Sequence, residues 1–120
     1  MITEDYVSFE TANLLKEKGF DEPCFRYAES KEIYESGKWT VADVTGGGVG
    51  VPTIQMAMKW LREKYNIHIE PRYFPTPNIY RYVIIHSPMT IENIDSHPQY
   101  FNTHEDACEA AIKYCLENLI

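Results

Sequence analysis

A chain of 120 residues, 44% hydrophobic and 24% charged, can bury a core without metal or disulfide staples and is read as one domain spanning 1–120. Its net charge of −7 works against nucleic-acid binding, and no apolar run approaches a membrane span of roughly 18 residues. Three cysteines, an odd number, speak against a secreted disulfide framework; with no basic-then-apolar leader in MITEDYVS, a cytoplasmic location is expected.

In chain order, Ser8 is placed to cap a first helix carrying Phe9, Ala12, Leu14 and Leu15. Gly19 stands where a left-handed C-terminal cap belongs, with Phe20 able to fold back on Leu15. Asp21-Glu22-Pro23 reads as a turn. Cys24–Tyr27 and Trp39–Ala42 are expected to be two strands of a hairpin, joined by a polar loop containing Ser36-Gly37, with Trp39 and Val41 on one face. Thr45-Gly46-Gly47-Gly48-Val49-Gly50-Val51 follows as a glycine-rich connector.

Pro52–Tyr73 carries the strongest local signals. Thr53 is a natural N-cap for a helix whose stripe is Ile54, Ala57, Met58, Leu61 and Tyr65, widened by Met56 and Trp60. Gln55, Lys59, Arg62 and Glu63 fall outside that stripe. Asn66 suits the left-handed residue that ends a helix, and Ile67-His68-Ile69-Glu70 then alternates as a strand with one face buried. After a turn at Pro75–Asn78, the next strand is Ile79–His86, apolar on both faces near its end. Thr90–Ile94 suits a short edge strand and Ser96–Gln99 a loop. A last helix opens at Thr103, with Asp106 three residues on, and buries Ala107, Cys108, Ala111, Ile112, Cys115 and Leu119. The order predicts an α+β fold: a mostly antiparallel sheet of four to five strands packed with three helices, sandwich-like.

Charge is unevenly spread. Residues 1–36 hold nine acids and four bases, 37–90 three acids and six bases, and 91–120 six acids and one base. Lys59, Arg62, Lys64, Arg72 and Arg81 make up most of the basic middle. A helix–strands–helix order resembles double-stranded-RNA binders, but those need bases where the last helix begins, and this one opens His104-Glu105-Asp106.

No catalytic constellation is assigned. The glycine run lacks the lysine of a P-loop, and Val51 stands where a dinucleotide fold needs its third glycine. Gly46, Gly47, Gly48, Gly50 and Thr53 still form a candidate anion or small-ligand site, because backbone amides converge at a helix N-terminus. His68-Ile69-Glu70 matches the H-x-E of zinc deaminases, but no P-C-x-x-C follows it. His86, His97 and His104 lack ligand spacing, so no metal and no cofactor are expected. Cys24 has Asp21 and Glu22 beside it, which oppose a thiolate, and Cys108 and Cys115 stand about 10 Å apart along a helix, too far to bridge. All three are read as reduced, structural thiols. Nine tyrosines are many for this length; Tyr73, Tyr80 and Tyr82, with Lys59 and Arg62, are the candidate interaction surface.

Three stretches, YVSFETANLLKEKGFDEPC, VPTIQMAMKWLREKYNIHIE and THEDACEAAIKYCLENL, make the chain resemble a family of small proteins of unassigned activity from Bacteroides-type gut bacteria and their phages and prophages. The last two stretches are also similar to phage domains built as α–β–α sandwiches. The resemblance implies a phage- or prophage-derived accessory protein and transfers no catalytic residue, cofactor or substrate. The expectation is a non-catalytic protein that binds another protein, with no nucleic-acid or membrane partner; the alternative is an anion or small-ligand binder at Gly46–Gly50.

Overall fold

The computed structural model describes residues 2–29, 32–39, 49–86, 90–93 and 99–120, with side chains left out at 25, 27–29, 32–39 and 90–93. Gly46, Gly47, Gly48, Val41 and His97 lie outside the described residues. The elements are α1 (Phe9–Glu17), β1 (Cys24–Glu29), β2 (Glu32–Trp39), β3 (Val49–Val51), α2 (Ile54–Tyr65), β4 (Ile67–Phe74), β5 (Ile79–His86), β6 (Thr90–Asn93) and α3 (His104–Asn118). The fold is α+β, and the chain divides into two units, Met1–Ala57 and Met58–Ile120, with the boundary inside α2. No described helix is long and apolar enough to cross a membrane.

The expected single sheet of four to five strands is not what forms. The described strands make two antiparallel sheets of three, ordered β2-β1-β3 and β4-β5-β6. The reason is edge accounting: a strand has two hydrogen-bonding edges, and β1 and β5 each use both within their own sheet. At the outer strand β4, Pro71 removes a donor.

In the first unit, Ser8 Oγ accepts from the Thr11 amide at 3.1 Å and caps α1. Gly19 closes the same helix at φ 96°, where a side chain would clash. The Gly19 amide donates to Lys16 and the Phe20 amide to Leu15 at 2.9 Å, the paired bonds of a Schellman ending. Leu15 and Phe20 are both buried, so the cap also closes an apolar contact point in the core. Helix α1 packs on β3. Residues 5–7 pair with 52–54: the Val7 amide donates to Pro52 and the Ile54 amide to Asp5, fixing where α2 begins.

The hairpin is longer than its sequence suggests. Ser36-Gly37 lies within β2, not in the turn, because the register shifts between Cys24↔Trp39 and Arg26↔Glu35. One residue of β1 there faces three of β2. The small polar pair serves as a bulge, a role glycine fills as readily as a turn. Val49–Val51, read from sequence as part of the connector, is a buried strand that pairs with Arg26–Ala28.

In the second unit β4 and β5 pair over eight consecutive positions, Ile67↔His86 to Phe74↔Ile79. The turn between them contains a cis Thr76–Pro77 bond and Asn78 at φ 71°, a conformation asparagine tolerates. Helix α3 covers β4 and β5. Its cap is as expected, Thr103 Oγ1 accepting from the Asp106 amide at 3.0 Å. Its stripe ends on Leu116 rather than Leu119, because Leu119 is the capping residue and half-buried. Tyr82, Val83 and Ile84 are all buried, so both faces of β5 are covered at that point, as its apolar pattern implied.

Candidate functional site

Cross-strand partners share a face of a sheet, and so do residues two apart along a strand. One face of the β4–β5 ladder therefore carries Ile67, Ile69, Pro71 and Tyr73 against His86, Ile84, Tyr82 and Tyr80. This face meets α3. Tyr80 stands edge-on to the His104 ring, and Tyr82 lies 6.0 Å from Phe101, which an isolated bridge to Tyr80 brings alongside β5. The other face carries Glu70, Arg72 and Phe74 against Val83, Arg81 and Ile79.

Tyr100, next to Phe101, falls on that second face. Arg81 Nη2 donates to Tyr100 Oη at 3.1 Å, and the guanidinium lies 4.6 Å from the Tyr100 ring centroid and 5.9 Å from that of Phe74. These are cation–π distances. Phe74, Thr76, Pro77, Ile79, Arg81 and Tyr100 line an open recess of about 190 Å³. On the α3-facing side of the same hairpin end, the Tyr73 and Tyr80 rings lie tilted at 43° with centroids 5.0 Å apart, and Tyr73 Oη donates to Asn78 Oδ1 at 2.6 Å.

Among the described residues, four large hydrophobic side chains are exposed, and three gather at this hairpin end: Tyr73 at 51%, Phe74 at 39% and Tyr100 at 56%. Exposed apolar surface of this kind, concentrated rather than scattered, is the physical mark of a contact surface. The aromatic rings supply area at small entropic cost, and Arg81 supplies a charge held in place by them.

The residues expected to form an interaction surface divide. Tyr73 is exposed and Tyr80 half-buried, both at the hairpin end. Tyr82 is a core residue at 5% exposure. Burial, with Cys115 and Tyr114 beside it, pushes its phenol up to about 12. Lys59 and Arg62 lie on the exposed side of α2, where Lys59 Nζ is 3.9 Å from Glu63. Phe74 and Tyr100 were not in the sequence-derived set, and Arg81 appeared there only as part of a general basic face. Strand parity could have paired Arg81 with Phe74, but nothing local announces Tyr100, whose partner lies 19 residues away.

At the candidate anion site, Gly50 sits in β3 opposite Tyr27. Thr53 Oγ1 accepts from the Met56 amide at 3.1 Å, so the cap occupies one of the donors an anion would use. Cys24 is buried, and its thiol donates to the Glu22 carbonyl at 3.3 Å. Burial first and Glu22 second push that thiol up to about 12, which opposes nucleophilic chemistry. Cys108, 3.7 Å from His104 Nδ1, is pushed up to about 11 by burial and then by Glu105; burial takes Cys115 to about 12. His68 and Glu70 are on the solvent side, His68 beside Asn66 and Glu70 within 3.5 Å of Arg72. Among the described residues no three His, Cys, Asp or Glu side chains gather to hold a metal. Comparison with protein-family models, with curated proteins and with solved structures found no match.

Proposed function

We propose that this protein acts non-catalytically by binding another protein, and that the free end of the β4–β5 hairpin is the surface it uses. The observation that carries the reading is the exposure of three aromatic side chains at one hairpin end, Phe74 and Tyr100 against Arg81 on one face and Tyr73 on the other. Aromatic residues and arginine are the side chains that dominate contact energetics between proteins. The three stretches that resemble phage and prophage proteins of Bacteroides-type bacteria support an accessory role in the cytoplasm. The raised thiols at Cys24, Cys108 and Cys115 support a non-catalytic one.

The test is affinity capture of the full chain from its source cells, repeated with the double variant Phe74→Ser/Tyr100→Ser. Both positions are exposed, so an unchanged circular dichroism spectrum is expected for the variant. A discrete partner held by the original chain and lost by the variant is the expected result. The same partner held equally by both would place the interface elsewhere. Turnover of a substrate abolished by replacing a single side chain would end the non-catalytic reading.

A further inference from the structure

Tyr80 exchanges both of its main-chain hydrogen bonds with Phe101, at 2.8 and 3.0 Å, so its N–H and C=O point away from β4. Facing residues of an antiparallel ladder aim these groups either at each other or both away. Tyr73, opposite Tyr80, therefore turns its N–H and C=O to the outer edge of the sheet, and two-residue parity places the Pro71 carbonyl beside them. Among the described residues β4 pairs with β5 alone. The same stretch of edge carries exposed rings on both faces of the sheet: Tyr73 on the α3-facing side, Phe74 with Tyr100 on the other. A flat partner laid on one face would cover one set of rings and leave the other in water. A strand added beside β4 reaches both, because its successive side chains fall on opposite faces. Three rings, each about half exposed, offer a few hundred Å² between them, well short of the roughly 1,200 Å² of a stable interface between folded proteins. An added strand makes up the difference with main-chain hydrogen bonds.

Resting on the protein-binding reading above, we infer that the outer edge of β4 at Pro71–Phe74 takes an extended segment of the partner as an added strand. The Tyr73 amide donates to the segment, and the carbonyls of Pro71 and Tyr73 accept from it; Pro71 itself has no N–H to offer. Cross-strand neighbours share a face, so the segment carries two consecutive apolar residues, one against Tyr73 and the next against Phe74 and Tyr100. The second of these enters the recess of about 190 Å³, a volume that suits one large side chain rather than a whole drug-sized ligand.

The probe is a library of random dodecapeptides displayed on phage and selected on the full chain. Selected peptides should share two adjacent apolar residues, enriched over the starting library. In a synthetic copy, methylating one main-chain nitrogen at a time should give an alternating pattern. About tenfold or more in affinity should be lost at every second residue of the contact, where the N–H donates to Pro71 or Tyr73, and about threefold or less at the residues between. The peptide should slow hydrogen exchange of the outward Tyr73 amide and leave that of Arg72, which faces β5, unchanged. Tyr73→Ser and Phe74→Ser should each lose about fivefold or more, whereas Lys59→Gln should stay within about twofold, as expected of an exposed charge away from the contact. A methylation scan without alternation, binders that leave Tyr73 exchange unchanged, or no binder at all would overturn this inference. The protein-binding reading would then stand or fall by the capture experiment with Phe74→Ser/Tyr100→Ser. Concentration-dependent slowing of Tyr73 exchange without peptide would also overturn it, by giving the edge to a second copy of this chain.

Discussion

At the scale of single residues, burial outranks neighbouring charge in deciding what the cysteines can do. From sequence, Asp21 and Glu22 were the reason to doubt a thiolate at Cys24. In the folded chain desolvation is the larger cause and Glu22 the smaller. A thiol held at about 12 has roughly a thousandth of the thiolate that one at its ordinary value of 9 has at pH 8. Alkylation of Cys24 by iodoacetamide in the folded chain should therefore be about a thousand times slower than that of a free thiol, before restricted access is counted. Peptide mapping after timed quenching measures this, and denaturant should release the Cys24 thiol. Rapid one-to-one labelling of Cys24 without denaturant would revive a nucleophilic role.

At the scale of elements, what is local in sequence is what proved legible. Ser8, Gly19, Thr53, Asn66 and Thr103 each satisfy or terminate a helix within five residues, and each stands in the structure where its chemistry required. These devices are worth measuring. Ser8→Ala should cost about 1 kcal/mol by orphaning the Thr11 amide. Gly19→Ala should cost about 1–2 kcal/mol because φ is 96°. Asn66→Gly, by contrast, keeps the left-handed conformation and should change little. Urea midpoints followed by the methyl signals of Leu15 for the first two and Leu61 for the third check all three. A Gly19→Ala chain as stable as the original would mean that the α1 ending relaxes freely. Strand partnership was not legible in the same way. Arg26 pairs with Val51 across a glycine-rich connector, and periodicity says that both are extended without saying that they are neighbours. Ser36-Gly37 carries the same composition whether it turns or bulges, so only the register distinguishes the two. Tyr73 and Tyr80 were legible as neighbours on two adjoining strands, but nothing in the sequence brings Tyr100 to the same hairpin end, where the Phe101 bridge to β5 sets it.

At the scale of the whole chain, the two units differ in how many cysteine thiols they keep neutral. The first unit buries Cys24; the second buries Cys108, Cys115 and Tyr82. All four groups are raised above their ordinary values, to about 12, 11, 12 and 12. For such a group the folded state holds its proton at a pH where the unfolded state has released it. Its stabilisation is complete below the ordinary value and is lost as pH climbs towards the raised one. The window for the thiols opens near 9, and each should remove about 1.4 kcal/mol per pH unit within it. With two thiols against one, the second unit should lose stability about twice as steeply between pH 9 and 11, and Tyr82 adds to its slope above 10. Urea midpoints at pH 7, 9 and 10, followed separately on the methyls of Leu15 and of Ile84 and Leu116, should show that divergence. The double variant Cys108→Ala/Cys115→Ala should be weaker at pH 7, since it leaves space beside Ile112 and Leu116. Its alkaline slope in the second unit should flatten to what Tyr82 alone provides. An unchanged slope in that variant would show that the buried thiols are not what couples this unit to pH.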